Sequence, residues 1–383
     1  MIDAKKKVRV LNVNSVIDGE IGGGTAERTI RLSEHLALKL CDVSILTLNI
    51  GNKIDIKGVK IILIPCLYSR FFIPNPLYFF KILKCVKNID VIHMMGHWSI
   101  LNVLVFFCAK ILKKPYVFCP AGSLKILGRS QIFKNIYQQI IGKLIVKNAS
   151  FVISITGDEG KYFKDIGIPD FKIKLIPNGI EKPMDDVNEF IFPYKKLPEK
   201  FILYMGRIEF VKGPDLLLES FLKIEKKFPN IHLVFAGPDN GLKQELEKII
   251  IESNLSEKIY FMGYVSGALK SHLYYKSHFL VVPSRSEAMS IVALEAGAHG
   301  KVAMLTSTCG LHEVCAVSQD LEVEPTATAI ARGLDKLLSD ESTLVNYSHL
   351  WSQYVFDAYS WNKLIALYED LIQDVFLSES KLA

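Results

Sequence analysis

The sequence predicts an α/β protein with two Rossmann-like, doubly wound parallel sheets that face a central cleft. Three observations lead to this prediction. The chain has 383 residues, which is enough for two or three domains of about 150 residues each. Short β-branched segments alternate with longer amphipathic segments, as in a parallel sheet with crossover helices. The alternation stops at a proline-rich stretch near the middle of the chain and then starts again.

The first half contains one complete series of strands and helices. The predicted strands are residues 8–13, 43–48, 91–93, 116–118 and 151–153. A helix is predicted at residues 25–40, where Glu27 and Arg31 have the i, i+4 spacing of an ion pair.

The domain boundary is predicted where a strand runs into Pro177, Asn178 and Gly179, because a ragged stretch with three more prolines follows. This gives domains 1–180 and 181–360. The second series of strands is predicted at residues 201–205, 232–236, 279–283 and 302–305. In such sheets ligands bind beyond the carboxyl ends of the strands, so the cleft between the domains is the expected site.

The composition excludes several classes of protein. Half of the residues are hydrophobic and the mean hydropathy is +0.24, which excludes a disordered chain. The longest apolar segment, residues 100–112, contains Asn102 and Lys110 and is too short to span a membrane. The first residues lead directly into a strand and not into a signal peptide, so we expect a cytoplasmic protein.

The cysteines favour a reducing compartment, since there are seven and none forms a C-x-x-C pair. Cys309, His312 and Cys315 have a spacing that resembles part of a zinc site, but a fourth ligand is missing. We therefore expect no bound metal.

The charge is divided unevenly between the two halves. Residues 1–195 carry 28 Lys and Arg against 16 Asp and Glu, whereas residues 196–383 carry 18 against 24. A basic half suits nucleic acid, an anionic membrane surface or a phosphate-bearing substrate, and a merely soluble lysine-rich surface explains it equally well. Nucleic acid is disfavoured because no reader module is recognisable.

Three loops that follow predicted strands carry the functional prediction. The first is Gly22, Gly23 and Gly24, where a phosphate can approach backbone N–H groups at the start of a helix. It does not match the dinucleotide pattern G-x-G-x-x-G, so a nicotinamide enzyme is disfavoured. A tight turn without a ligand explains this loop equally well.

The other two loops lie in the second half. The loop of residues 206–213 contains Arg207 and Lys212, which can neutralise a diphosphate. The loop that begins at Ser284 contains Glu287, and Glu295 follows about one turn inside the next helix, where a carboxylate can accept both hydroxyls of a ribose. Each could also be an ordinary surface turn or an ordinary helix acid.

Together these loops resemble those of the retaining glycosyltransferases with the two-Rossmann GT-B fold, the family called group 1 or family 4. Further segments share the resemblance: Asp90 to His93 with Gly96 and Trp98, Ile176 to Ile180, Phe235 to Gly237, and Tyr359 to Trp361. The resemblance implies that a final helix, residues 361–383, packs back on the first domain.

The resemblance also implies roles for individual residues. Arg207 and Lys212 would bind the donor diphosphate and stabilise the charge that develops on it, and Glu287 would face the donor sugar, so these three are the predicted catalytic residues. Further donor contacts are implied for Met289, Ser290 and Ile291 through their backbone, for Glu295 at the ribose, and for Gly23 and Gly24 at the phosphates.

The sequence departs from the family after the strand that ends at Cys119. The family usually has Pro-His-Gly there, whereas this chain has Pro120, Ala121 and Gly122. In relatives the histidine reaches the donor sugar near its 6-hydroxyl. Either the donor is altered at that position, or His93 or His97 substitutes, or the protein is impaired or engineered. Ala121, Gly122 and His93 are the predicted acceptor-side residues.

Two segments mix aromatic and basic residues. One is residues 68–81, and the other is residues 125–147 with Arg129, Lys134 and Lys143. This mixture suits a bilayer interface or a lipid-linked diphosphate. Core packing explains the aromatic residues almost equally well.

The sequence therefore predicts a cytoplasmic, retaining glycosyltransferase, peripheral on the inner membrane face and active in surface polysaccharide or glycoconjugate biosynthesis. It would transfer a sugar from a nucleotide-diphosphate donor, with UDP, GDP and dTDP all open, to a glycan or lipid-linked acceptor. Neither a metal nor another cofactor is expected. Two alternatives stay open: a nucleotide-sugar epimerase on the same fold, and a non-catalytic relative that binds a glycan or a nucleotide sugar.

Overall fold

The computed structural model describes residues 7–39, 41–124, 131–183 and 197–380. The chain separates into two compact units, one formed by Met1–Gly179 with Trp361–Ala383 and the other by Ile180–Ser360. Lys125 and Arg129 of the basic segment, and part of the proline-rich stretch, lie outside the described residues.

The first unit is built on a parallel sheet of seven strands. The strands of this unit are β1 (Val8–Val13), β2 (Cys41–Leu48), β3 (Val59–Ile64), β4 (Cys66–Tyr68), β5 (Ile73–Pro74), β6 (Val91–Met95), β7 (Tyr116–Cys119), β8 (Phe151–Ser154) and β9 (Ile173–Leu175). The order in the sheet is β3-β2-β1-β6-β7-β8-β9, and β4 and β5 form a separate antiparallel pair. The order reverses between β1 and β6, which are neighbours at the centre.

Helices cover both faces of this sheet. They are α1 (Gly19–Leu38), α2 (Phe79–Lys87), α3 (Ile100–Ile111), α4 (Gln131–Tyr137), α5 (Lys143–Asn148) and α6 (Gly157–Asp165). A π-helical segment, Gln138–Gly142, joins α4 to α5. All five residues of β6 are buried, as expected for a central strand covered on both faces.

The second unit has the same construction with six strands. They are β10 (Phe201–Met205), β11 (His232–Ala236), β12 (Ile259–Phe261), β13 (Phe279–Val282), β14 (Ala303–Thr306) and β15 (Glu322–Val323). The order is β12-β11-β10-β13-β14-β15, so it reverses between β10 and β13. The helices are α7 (Pro214–Ile224), α8 (Lys243–Glu252), α9 (Gly267–Lys276), α10 (Ile291–Ala298), α11 (Ala327–Ser339) and α12 (Glu341–Tyr359).

The last helix, α13 (Trp361–Ser380), belongs to the first unit. Trp361 and Tyr368 are buried on it, and a Cβ at Gly179 would lie 2.5 Å from the Trp361 ring. The buried guanidinium of Arg28 donates to the Tyr368 hydroxyl (2.5 Å) and to the carbonyl of Ile176 (2.8 Å). Arg28 therefore ties α1, α13 and the end of the first unit together.

The first helix begins earlier than the sequence predicts. Asp18 accepts hydrogen bonds from the backbone nitrogens of Glu20 and Ile21, both at 3.0 Å, and so starts α1 before the glycines. Gly23, with φ +55° and ψ −140°, interrupts the helical backbone inside α1. The predicted pair between Glu27 and Arg31 is present at 2.8 Å. Within the described residues, no helix is long and apolar enough to cross a membrane.

Candidate functional site

The loops after β10 and β13 lie where the strand order of the second unit reverses. At such a switch point the crossover connections leave in opposite directions, which opens a crevice at the carboxyl edge of the sheet. The two loops carry Arg207, Lys212 and Glu287. The strand order of the second unit thus brings the predicted cation loop and the predicted acid loop to one edge.

Arg285 joins these two loops. Its backbone nitrogen donates to the carbonyl of Val211 (2.8 Å), and its guanidinium binds both carboxylate oxygens of Asp215 at 2.8 and 2.5 Å. The guanidinium also lies 3.9 Å from the centre of the Phe210 ring. A two-pronged Arg–carboxylate pair has a narrow range of geometries, so the loops are held in register. We did not predict this role for Arg285.

Two glycines allow the loop backbones to approach. Gly213 has φ +67°, and a Cβ there would lie 2.1 Å from the carbonyl oxygen of Pro283. Gly310 has φ +61°, and its Cβ would lie 1.9 Å from the carbonyl oxygen of Ala288. Any side chain at these positions would both strain the backbone and displace the loop after β13.

Lys212 and Glu287 form an ion pair across the switch point. The ammonium nitrogen lies 2.9 Å from Oε1 of Glu287, and the two side chains are only 23% and 15% exposed. Ser284 donates to the other carboxylate oxygen at 3.1 Å, and the Glu287 backbone nitrogen donates to the carbonyl of Thr308 at 2.9 Å. The acid and the cation that the sequence assigned to one donor molecule therefore also hold each other.

Arg207 stands on the same loop in a more open position. Its guanidinium lies 2.9 Å from Glu209, which also accepts a 2.6 Å hydrogen bond from the Asn240 amide. The Tyr204 hydroxyl donates to the Arg207 carbonyl at 2.7 Å, and burial raises the pKa of Tyr204 well above its usual value. The phenol is thus a fixed donor that sets the start of this loop.

Glu295 lies inside α10, as the sequence predicts, and faces α9. One carboxylate oxygen accepts from the ammonium of Lys270 (2.5 Å) and the other from the hydroxyl of Tyr274 (2.7 Å). Burial raises the pKa of Tyr274 well above its usual value, so its hydroxyl also stays a donor. The carboxylate is held in one orientation by two donors from a neighbouring helix.

The start of α10 carries the remaining predicted donor contacts. Met289 and Ser290 are buried, and Ile291 is half-buried. Ser290 is the residue that precedes the helix, and its buried hydroxyl has no hydrogen-bond partner among the described residues.

The first unit has its own switch point, between β1 and β6. The hydroxyls of Ser15 and Ser99, in the loops after these strands, lie 2.8 Å apart. Gly23 and Gly24 follow on α1 and are exposed, and a Cβ at Gly23 would meet nothing within 4 Å.

The loop after β7 contains the departure at Ala121. Ala121 and Gly122 both have left-handed backbone, with φ +52° and +81°. The backbone nitrogen of Gly122 donates to Oε1 of Glu159 at 2.6 Å, and that of Ile155 donates to Oε2 at 2.9 Å. Burial raises the pKa of the Glu159 carboxyl, although both hydrogen bonds act in the opposite direction.

Comparison with known proteins decides the family. Residues 186–374 match the model for glycosyl transferases group 1, and residues 22–182 match the model for glycosyltransferase family 4. The chain belongs to the group 1, family 4 glycosyltransferases. These two matches together span both units of the protein.

Three curated relatives illustrate the range of this family. An uncharacterized glycosyltransferase of Methanocaldococcus jannaschii is 32% identical over 51% of this chain and 52% of its own length. The GDP-mannose:cellobiosyl-diphosphopolyprenol alpha-mannosyltransferase of Xanthomonas oryzae is 24% identical over 59% of this chain and 58% of its own. One subunit of the human phosphatidylinositol N-acetylglucosaminyltransferase is 21% identical over 82% and 66%. The chain thus spans between half and two thirds of these relatives.

Solved structures show the same fold. Sucrose-phosphate synthase from Thermosynechococcus elongatus superposes with a TM-score of 0.78 at 20% identity, covering 97% of this chain and all of that one. HepE of Anabaena, in complex with UDP and glucose, gives 0.75 at 14% identity, covering 96% of this chain and all of that one. Both units of this family 4 member are therefore Rossmann-like domains of the GT-B fold.

Neither candidate histidine of this family 4 member presents an exposed ring. His93 is buried, binds Asn12 at 3.1 Å and packs against Tyr368. His97 is buried and bonded to Gln138. Burial lowers the pKa of His93 to about 3 and that of His97 to about 4, so both rings are neutral at pH 7. An acceptor contact by His93 stays a prediction, since it would require this ring to leave the core.

The cysteines and His312 do not form a metal centre in the described part of the chain, where no three His, Cys, Asp or Glu side chains cluster as metal ligands. His312 instead lies 2.6 Å from Glu322, and Cys309 is buried beside Thr306.

The contacts that sequence reasoning missed share one cause. Arg285, Glu159 and Arg28 all have partners far away along the chain, and no local spacing marks such partners. A signal existed only for Glu209, because it lies in the same short loop as Arg207.

Proposed function

We propose that this protein is a retaining glycosyltransferase that moves a sugar from a nucleotide-diphosphate donor to a hydroxyl of a glycan or lipid-linked glycan. The observation that carries this proposal is the pairing of Lys212 with Glu287 at the switch point of the second unit. A cation and an acid on adjacent loops, both shielded from solvent, suit a ligand that combines a diphosphate with a polar sugar.

Donor binding would exchange partners within the site. The diphosphate offers Lys212 and Arg207 a stronger anion than the carboxylates they contact in this structure. Glu287 would then be released toward the donor sugar, and Glu295 would turn from Lys270 and Tyr274 to the ribose hydroxyls. Because the cations are held beforehand, little reorganisation is needed when charge develops on the leaving diphosphate.

The chemistry needs few further groups. In a front-face displacement the bond from the anomeric carbon to the diphosphate oxygen breaks while the acceptor oxygen attacks from the same side. The leaving phosphate oxygen takes the acceptor proton, so no separate base is required. We also propose that the reaction needs neither a metal nor another cofactor, because Arg207 and Lys212 supply the positive charge that a Mg²⁺ ion would contribute.

The relatives guide the choice of substrates. One is described as using GDP-mannose and a diphosphopolyprenol acceptor, another is named for phosphatidylinositol, and a structural neighbour binds UDP and glucose. We infer a lipid-linked or glycan acceptor and a role in surface polysaccharide or glycoconjugate biosynthesis. The enzyme would work in the cytoplasm at the inner face of the membrane, with the donor base left to experiment.

A donor panel tests this proposal. The full chain is incubated with UDP-, GDP- and dTDP-sugars and a polyprenyl-diphosphate glycan, with and without EDTA, and the product anomer is assigned by NMR. We expect one donor to be consumed with retention, EDTA to have no effect, and Arg207→Ala and Glu295→Ala to abolish turnover. Lys223→Ala, on the exposed side of α7, is the matched control. Full turnover by either site variant would contradict the assignment.

The two alternatives are separated by the same panel. An epimerase would convert the donor without any acceptor. A non-catalytic relative, which only the alanine at position 121 suggests, would bind a donor without turnover. Since histidine tolerates left-handed backbone better than most residues, Ala121→His is expected to fold. Failure of this variant to gain turnover on any 6-hydroxylated donor would favour the binding protein.

A further inference from the structure

The helix formed by α4, the π-helical segment and α5 has an exposed apolar stripe. It consists of Ile132, Phe133, Ile136, Ile140 and Leu144, whose side chains are between 48% and 76% exposed. Four of them recur at intervals of four residues, which places them along one side of the helix. Soluble proteins rarely expose so many large apolar side chains in one row, so the stripe indicates a binding surface.

The opposite side of this helix packs on the loops of the first unit. The Tyr137 hydroxyl donates to the carbonyl of His97 (2.8 Å), and Gln138 binds the His97 ring. A Cβ at Gly142 would lie 2.6 Å from the Gln138 amide oxygen, so only glycine fits there. The helix is thus fixed to the loop after β6, and its apolar stripe is a static feature of the surface.

The neighbouring helix α3 extends the apolar surface. Phe107 and Ile111 are exposed on α3, and the Lys110 ammonium donates to the Asn148 side chain at the end of α5 (2.8 Å). Helix α2 packs on α3 and exposes Phe80.

The charge around this surface has one sign. Residues 56–157 contain 14 Lys and Arg and one acid, Asp90. Asp90 is paired with Arg9, at 2.5 Å between the guanidinium and the carboxylate. Lys143 and Lys147 stand on the same helix as the stripe, which has no acid along its length.

We propose that the apolar stripe docks the first unit on an anionic lipid bilayer. Apolar side chains that enter the boundary of the acyl chains, with lysines at the level of the head groups, are the two requirements for interfacial binding. A second copy of this surface is disfavoured because it would bring like charges together. Nucleic acid would satisfy the lysines but leave the five apolar side chains in water. The proposal does not depend on sugar transfer.

Vesicle binding tests the proposal without any activity assay. The full chain is mixed with vesicles of phosphatidylcholine alone or of phosphatidylcholine with phosphatidylglycerol, and bound protein is measured by flotation. We expect binding only to the anionic vesicles and a decrease with added salt. Phe133→Gln/Ile136→Gln/Ile140→Gln is expected to weaken binding by about tenfold or more. The matched control, Ile251→Gln/Val345→Gln, removes exposed apolar side chains from the second unit and should bind as the wild type does.

A second variant reports insertion directly. Phe133→Trp places an indole in the stripe, and its fluorescence should be quenched by brominated lipid in anionic vesicles. Absence of binding to anionic vesicles, or equal binding by the triple variant and the wild type, would overturn the proposal. A triple variant that only changes a dimer to a monomer, or only loses RNA binding, would also overturn it in favour of those partners. Circular dichroism of each variant verifies that it is folded.

Discussion

Oε1 of Glu159 lies 2.6 Å from the backbone nitrogen of Gly122 and thereby fixes the loop that follows β7. The other oxygen binds the nitrogen of Ile155, so one buried carboxylate satisfies two backbone donors from separate loops. In relatives the residue that precedes this glycine is the histidine that reaches the donor sugar. The geometry of the loop therefore depends on a residue 37 positions further along the chain.

Glu159→Ala is expected to destabilise the first unit by about 2–4 kcal/mol, because two buried N–H groups lose their acceptor. Urea unfolding monitored by circular dichroism measures this loss. Asp165→Ala, at an exposed position on the same helix, is the matched control and should change stability by less than about 0.5 kcal/mol. Equal stability of the two variants would show that other groups or water satisfy these donors.

Lys212→Ala is expected to lower kcat/KM by about 100-fold or more, because a preorganised cation at the leaving group contributes to the transition state. Lys212→Arg should recover part of this loss, since it keeps the charge but changes the shape. Steady-state kinetics with the donor found in the panel provide the measurement. A change confined to KM would mean that Lys212 binds the donor without aiding bond cleavage.

Gly213→Ala is expected to destabilise the second unit by about 3 kcal/mol, since the new methyl group would lie 2.1 Å from the Pro283 carbonyl oxygen. Gly263 has nearly the same φ, +68°, but open space around it. Gly263→Ala therefore isolates the cost of left-handed backbone, about 1 kcal/mol. Thermal unfolding of both variants separates the clash from the strain. Similar losses in the two would rule out the close approach of the loops.

His97 should make the first unit sensitive to acid. Its pKa is about 4 in the folded chain, below the usual 6.5, so the unfolded chain binds more protons between these values. This contribution to stability is complete above pH 6.5 and is lost as the pH falls toward 4, by about 2 kcal/mol between pH 6.5 and 5. Unfolding measured across this range should be less steep in His97→Gln. His349→Gln, on the exposed side of α12, should leave the slope unchanged.

Arg28 and Tyr368 should be energetically coupled. Tyr368→Phe removes one hydrogen bond, worth about 1 kcal/mol, whereas Arg28→Met removes the donor to three groups and should cost about 3 kcal/mol. The double variant should lose less than the sum of the two. Strict additivity in urea unfolding would show that the bond between them contributes nothing.

The strands of the core could be predicted because their sequences are self-sufficient. β10 and β11 begin and end at the predicted residues, since a run of five apolar or nearly apolar residues between polar turns has few other uses in a soluble protein. β12 and β15 were not predicted. They have three and two residues and lie at the sheet edges, where pairing with a neighbour and not composition defines the strand.

The candidate site could be predicted as a set of loops but not as a set of contacts. Arg207, Lys212, Glu287 and Glu295 stand on the loops and the helix that the alternation of strands and helices indicated. Their partners in this structure, such as Lys270 for Glu295, come from elements that carry no motif. Arg28 is the clearest case, because an arginine in an amphipathic helix is ordinarily exposed, and only the arrival of Tyr368 buries it.

The position of α13 has a consequence for how the chain matures during translation. Trp361 and Tyr368 fill the interior of a unit whose other elements emerge from the ribosome before the entire second unit is made. The earlier unit must wait with an incomplete core while its successor is synthesised and folds. Biogenesis of this protein is thus discontinuous, and a nascent chain stalled before residue 361 would expose the cavity that this final segment closes.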